Sequence, residues 1–200
     1  MNEDNKIDLL LGKLKQNEQE IKQALEQSIE KKQLQFQYKI TQGKVKFENT
    51  IKKLHQQKKT GVFQYLMHTD ISIFLTAPVI YSMIFPLAFL DLTISIYQQI
   101  CFRIYQIPIV KRTEYIVIDR QYLSYLNVIE KLNCVYCGYG NGVAAYALEV
   151  IARTEQYWCP IKHAKKHLFQ HARSEKFIDY GDVEAYKKQL EVLRKQWSDQ

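Results

Sequence analysis

The run from Ile71 to Phe102 constrains this chain more than any other feature, because its 32 residues carry a single charge, Asp91. Its first twenty residues, Ile71 to Leu90, carry none. That is the length a helix needs to cross a hydrocarbon core of about 30 Å. A buried core helix is the competing reading. The run is long for one span and short for two, and Pro78, Pro86 and Asp91 are places where a helix kinks or breaks. Lys52, Lys53, Lys58 and Lys59 precede the run, and Arg103, Lys111 and Arg112 follow it. Positive charge on both sides favours a re-entrant insertion with both flanks cytoplasmic, with a single span as the alternative.

Over the full chain 46% of residues are apolar and 24% charged, which argues against disorder and allows a core to be built. A net charge of +7 and a pI near 9.1 fit an anionic partner, either acidic lipid headgroups or nucleic acid. The apolar run decides for the lipid bilayer. The lysines form no aromatic-basic module, so nucleic acid is not an expected partner. Four cysteines are too few for a disulfide scaffold, and no short apolar leader opens the chain at Met1. The thiols are therefore read as reduced and facing the cytoplasm.

The expected fold class is mainly α with a short β-hairpin, a membrane-inserted helical segment being followed by a small cysteine/histidine lobe. Four segments are expected. Residues 1–32 read as a solvated amphipathic helix, in which Ile7, Leu10, Leu14, Ile21 and Ala24 recur at helical spacing. That stripe offers residues 4–32 to a protein partner or to self-association. Residues 33–60 read as a hairpin and a helix leading to the membrane: Leu34, Phe36, Tyr38 and Ile40 alternate with polar residues before a turn at Thr41 to Lys44. Residues 61–110 are the membrane-embedded segment. Residues 111–200 form a helical lobe, with a strand at Tyr115 to Ile118, helices at Gln121 to Leu132 and Val143 to Gln156, another starting at Cys159-Pro160, and a last from Asp182 to Trp197.

That lobe carries the chemistry-bearing residues. Cys134, Cys137, Cys159 and His163 follow a C-x2-C-x21-C-x3-H pattern, the donor types of a closed tetrahedral metal site. Zinc is the expected ion and iron the alternative. The first pair is placed on a tight loop, where Gly138 suits the bend around the ion. His167 and His171 continue the four-residue spacing from Cys159 and His163 and are read as surface or packing residues. Glu130 is read as an ion-pair partner of Lys131 or Arg153, or as an acceptor for a ligating imidazole. The glycines at 138, 140 and 142 do not match a dinucleotide fingerprint.

Cys134-Val135-Tyr136-Cys137-Gly138-Tyr139 resembles the first iron knuckle of rubredoxins, and Trp158-Cys159-Pro160 resembles the start of their second. The second knuckle has no fourth cysteine, and His163 stands one position beyond where it would lie. More broadly, Tyr125-Leu126-Asn127, Glu130 to Cys134 and the stretch from Arg153 to Ala164 resemble an uncharacterised family of small bacterial membrane proteins. That resemblance runs from the hairpin to Tyr186. It implies location in a bacterial inner membrane and coherence of the cysteine motif, and it implies no reaction.

Two functional classes follow. The first is a membrane-anchored interaction or scaffold protein whose metal site holds a small cytoplasmic lobe together, since metal closure stabilises a lobe with little core of its own. The alternative is a membrane-associated redox protein using an iron site or the Cys134/Cys137 dithiol. No serine sits in a nucleophile elbow, and the sequence leaves open whether the chain is an enzyme.

Overall fold

A computed structural model describes residues 3–36, 38–41, 44–165, 168 and 170–197. The chain is mainly helical with one antiparallel hairpin, as expected from the sequence. It divides into two units: residues up to Gly61 together with Tyr122–Asn127, and Val62–Gln121 together with the chain from Val128 onward.

The first unit begins with α1 (Glu3–Phe36), whose lysines, glutamates and glutamines favour helix and pair along it, as Glu18 does with Lys22 at 2.7 Å. The helix runs on through Leu34 and Phe36, which had been expected in the first strand. The hairpin is correspondingly short: β1 (Tyr38–Thr41) pairs with β2 (Lys44–Phe47), Tyr38 opposite Phe47 and Ile40 opposite Val45. Its turn residues lie outside the described residues. α2 (Asn49–Gln57) follows. An aromatic line holds these pieces together, Tyr38 to Phe47 at 5.7 Å, Phe47 to His55 at 5.3 Å and His55 to Tyr125 at 5.4 Å.

In the second unit, α3 (Val62–Met67) leads into α4 (Ile71–Ser82), α5 (Ile84–Tyr97), a π-helical turn (Gln98–Phe102) and α6 (Arg103–Tyr105). The last four join end to end as one helix of 35 residues, Ile71–Tyr105, long and apolar enough to span a membrane. The chain does not turn back within the run, which corrects the re-entrant expectation. Its joint at Met83 keeps right-handed helical angles, φ −64° and ψ −12°. Pro86 explains the joint: it has no N–H to offer the Ser82 carbonyl four residues back, yet it sits in the first turn of α5 where proline is tolerated. Ser82, Thr76 and Thr93 return their hydroxyls to backbone carbonyls of the preceding turn, so these polar side chains are satisfied within the helix.

Beyond Tyr105 the chain runs back along this helix through α7 (Arg112–Tyr115) and a 3-10 turn (Arg120–Tyr122), and then enters α8 (Val128–Trp158). α8 lies parallel to the apolar helix: Tyr136 bonds Ile80, Tyr139 bonds Asp91, Tyr146 bonds Gln98, and Tyr157 stacks on Tyr105. The core sits toward the Tyr105 end, where Phe102, Ile107, Val110, Tyr146 and Val150 are buried and Tyr97, Tyr157 and Trp197 pack against them. Three local expectations are corrected. Ile116 is extended but pairs with no strand, because its backbone lies against α8 instead. α8 begins at Val128, so of the helix expected over Gln121 to Leu132 only Val128 onward is α-helical, while Gln121 and Tyr122 lie in the 3-10 turn. No helix starts at Cys159-Pro160, because Ile178 N–H bonds the Pro160 carbonyl at 2.8 Å and Lys162 N–H bonds the Ile178 carbonyl at 2.8 Å, drawing the chain into a parallel bridge. The tail is α9 (Val183–Lys195), capped by the Asp182 carboxylate, which accepts from Ala185 N–H at 2.8 Å.

Candidate functional site along the apolar helix

The glycines at 138, 140 and 142 permit three close approaches to α8. A Cβ at Gly142 would lie 2.8 Å from both Ile116 Cα and the Tyr115 carbonyl oxygen, and one at Gly138 would lie 3.3 Å from the Val117 carbonyl oxygen. Backbone therefore packs directly on backbone. A Cβ at Gly140 would meet Leu87 of the apolar helix at 3.2 Å. Gly138 and Gly142 stand four apart on one face, the small-residue spacing by which helices admit a neighbour in membranes. That signal was present in the sequence, where Gly138 reads as the bend of a metal knuckle and the three glycines together are weighed against a dinucleotide fingerprint.

The returning segment is held by polar groups on the inner side of the apolar helix. Asp91, only 8% exposed, accepts from Arg112 Nε at 2.8 Å and Arg112 Nη2 at 2.6 Å, and from the Tyr139 hydroxyl at 2.9 Å. The one charge of the apolar run thus has a bidentate guanidinium partner, the strong geometry for such a pair. One helical stretch further on, Gln98 acts as a surrogate strand. Its Nε2 donates to the Val110 carbonyl at 3.2 Å and to the Tyr146 hydroxyl, while Val110 N–H donates to its Oε1 at 3.0 Å. Gln98 opens the π turn, a local widening found frequently where a helix carries function. In the sequence Arg112 reads only as a flanking positive charge and Tyr139 only as part of the cysteine knuckle, while nothing singles out Gln98 or Tyr146. An isolated aspartate in an apolar run is a demand for a counter-charge, and that demand was the available clue.

A second polar node lies near the end of α8. Glu149 Oε1 accepts from Arg153 Nε at 2.8 Å and from Arg173 Nη2 at 2.6 Å. Burial pushes this carboxyl up, and the hydrogen bonds from Arg173 and Arg153 more than reverse it, leaving its pKa below the ordinary carboxylate value. Arg153 also bonds the Pro108 carbonyl, so its carboxylate partner is Glu149 and not Glu130. Gln156 ties the node to the Leu193 and Gln196 carbonyls of the C-terminal helix end.

The structure does not bring the four expected metal donors together. Cys134 and Cys137 lie one turn apart in the interior of α8, not on a loop, while Cys159 follows the helix end. The intervening helix separates Cys137 from Cys159 by about 30 Å at 1.5 Å per residue. Among the described residues, no group of three or more histidine, cysteine, aspartate or glutamate side chains is placed to hold a metal ion. A closed four-donor zinc or iron site does not fit this arrangement. His163 is exposed beside a small cavity that it shares with Glu155 and His171, whose Nε2 lies 2.7 Å from Glu155 Oε2. His167 lies outside the described residues. All four cysteines are free thiols.

Comparison of the chain with protein-family models, characterised proteins and solved structures found no match.

Proposed function

We propose that this protein is a membrane-anchored interaction protein, with helix Ile71–Tyr105 in the bilayer and α8 with its C-terminal neighbours forming a small lobe fixed along one side of that anchor. The observation that carries this reading is the exposure of the apolar helix. Its most apolar stretch is not buried at all, and Phe74, Val79, Phe85 and Phe89 point outward. In water they would form an apolar surface larger than soluble monomers tolerate, whereas lipid chains cover it without cost. The buried core helix weighed against the membrane from the sequence would have had this surface covered by protein.

Trp197 packs at the Tyr105 end, so Trp197 and the entry at Ile71 lie at opposite ends of the anchor. Lysine density before Ile71 favours the N-terminal unit on the cytoplasmic face. On this reading the cysteine lobe faces away from the cytoplasm, opposite to the side that reduced thiols suggest. Zinc forms no part of this proposal.

High-salt followed by alkaline washing of membranes tests the anchor. The protein is expected to stay in the pellet, and its recovery in the alkaline supernatant would end the integral reading. Reporter tags at the two termini are expected on opposite sides. Cys134→Ser and Cys159→Ser should act independently on any bound metal, because distant sites add. Joint loss of one tightly held ion from either variant would show that the donors converge after all.

A further inference from the structure

The positive charge of this protein is not spread along it. Residues 39–59 hold seven lysines against one glutamate, a net charge of +6 where the whole chain carries +7. The fold presents six of them outward: Lys39, Lys46, Lys52, Lys53, Lys58 and Lys59 are all exposed, and none of the six is in an ion pair among the described residues. The hairpin sets Lys39 directly opposite Lys46, a like-charge pair that opposes strand pairing unless an anion lies against it. Immediately downstream, α3 exposes Phe63 and Met67, an aromatic and a flexible apolar side chain of the kind that settles at a membrane interface. The apolar helix begins at Ile71, twelve residues after Lys59. Along the chain the order is thus cationic, interfacial, hydrocarbon.

We infer that residues 39–59 form a docking surface for the acidic phospholipid headgroups of the leaflet that Ile71 enters. Two features select lipid over other polyanions. The covalent link to the anchor holds the lysines within a short chain's reach of the headgroups, and the exposed apolar residues of α3 have no counterpart in binding to a phosphate backbone. Close to an acidic leaflet each lysine adds a favourable increment, and the increments vanish beyond a Debye length, so selectivity depends on salt. The inference rests on the membrane anchor proposed above.

The test uses the full-length protein, immobilised in neutral detergent and equilibrated with equimolar phosphatidylglycerol and phosphatidylcholine, with retained lipid quantified. The wild type is expected to retain phosphatidylglycerol in roughly tenfold excess at about 50 mM salt and to lose most of that preference at about 500 mM. Substituting Lys39, Lys46, Lys52, Lys53, Lys58 and Lys59 with Gln should bring the ratio near unity. The salt series on the wild type stands even if that variant fails to fold. Equal retention of both lipids, or an unchanged preference in the folded variant, overturns the inference while the protein still resists alkaline extraction. Release by alkali strikes the anchor instead. Tighter capture of a heteropolymeric RNA than of acidic lipid by the wild type also overturns it, in favour of a nucleic-acid surface.

Discussion

The two longest continuous helices of this chain, Glu3–Phe36 with 34 residues and Ile71–Tyr105 with 35, are both exposed along most of their length, for opposite reasons. α1 is exposed because most of its side chains are solvated: charged and amide groups dominate it, and its apolar residues, such as Leu14 and Ile21, are interspersed among them. The apolar helix has one side committed to protein and the other left bare. Its inner side carries Asp91, Gln98 and Phe102, each buried against the return segment or α8, while Phe85 on the outer side is 75% exposed. Exposure by itself therefore says little until the chemistry of the exposed atoms names the solvent.

Charge inserted on the bare side should separate the two helices most sharply. Leu75→Arg with Phe85→Arg places two guanidinium groups where lipid is proposed, the one at Phe85 costing about 3 kcal/mol as near a helix centre in membrane insertion and the one at Leu75, closer to the helix start, less. Loss of the protein from the membrane fraction is the expected outcome, measured by fractionation of cells expressing each variant. Leu25→Arg on α1 should change nothing in the same assay. Equal membrane yields for all variants would mean that the outer side of the apolar helix does not meet lipid.

The packed side is tested next, through glycine. Gly142→Val forces a branched side chain into backbone atoms 2.8 Å from its first carbon, and overpacking of this kind costs about 1–3 kcal/mol or more. Thermal unfolding in detergent should shift down by several degrees and the segment around Ile116 should become protease-sensitive. An unchanged melting temperature would show that the return segment is not seated on α8.

Acid offers a smaller contrast between two carboxylates. Glu149 has a folded pKa below the ordinary value of 4.5, so the stability it adds is fully present above that pH and is lost as pH falls through the folded value. Glu18 on α1 is lowered too, by its hydrogen bond from Lys22, but this pair is fully exposed and screened by solvent. Glu149→Gln should destabilise the lobe at neutral pH by about 3 kcal/mol, since it leaves buried Arg173 without its anion, and should flatten the acid transition read by tryptophan fluorescence. Glu18→Gln should leave both unchanged. If the acid transition of wild type and Glu149→Gln coincide, another carboxylate governs it.

The sequence made the local elements legible where one period dominated over a long stretch, as in α1, the apolar helix and α9. It misread the elements whose course is set by distant partners. Cys134 and Cys137 looked like a loop knuckle because C-x2-C followed by glycine is a loop pattern in isolation; here the glycines serve α8's contact with Tyr115 to Val117, and the helix runs straight through them. Pro160 looked like a helix start, but its carbonyl is claimed by Ile178, eighteen residues on. The polar seam was half visible. Asp91 was seen as a break in the apolar run, while its partner Arg112 was read as part of a flanking charge pattern, and only the path of the return segment joins them.

The smallest predicted effect bears on α1 and reverses the sign of the glycine result. Gly12 has nothing within 4 Å of where a Cβ would stand. Gly12→Ala therefore removes no contact and adds none; it acts only by restricting the unfolded backbone, which favours helix by up to about 1 kcal/mol. Helical content by circular dichroism should rise slightly, and thermal fraying of α1 should move to higher temperature. A destabilising outcome would place a close-packed neighbour against this glycine, and α1 would then resemble the buried side of the apolar helix instead of a solvated arm.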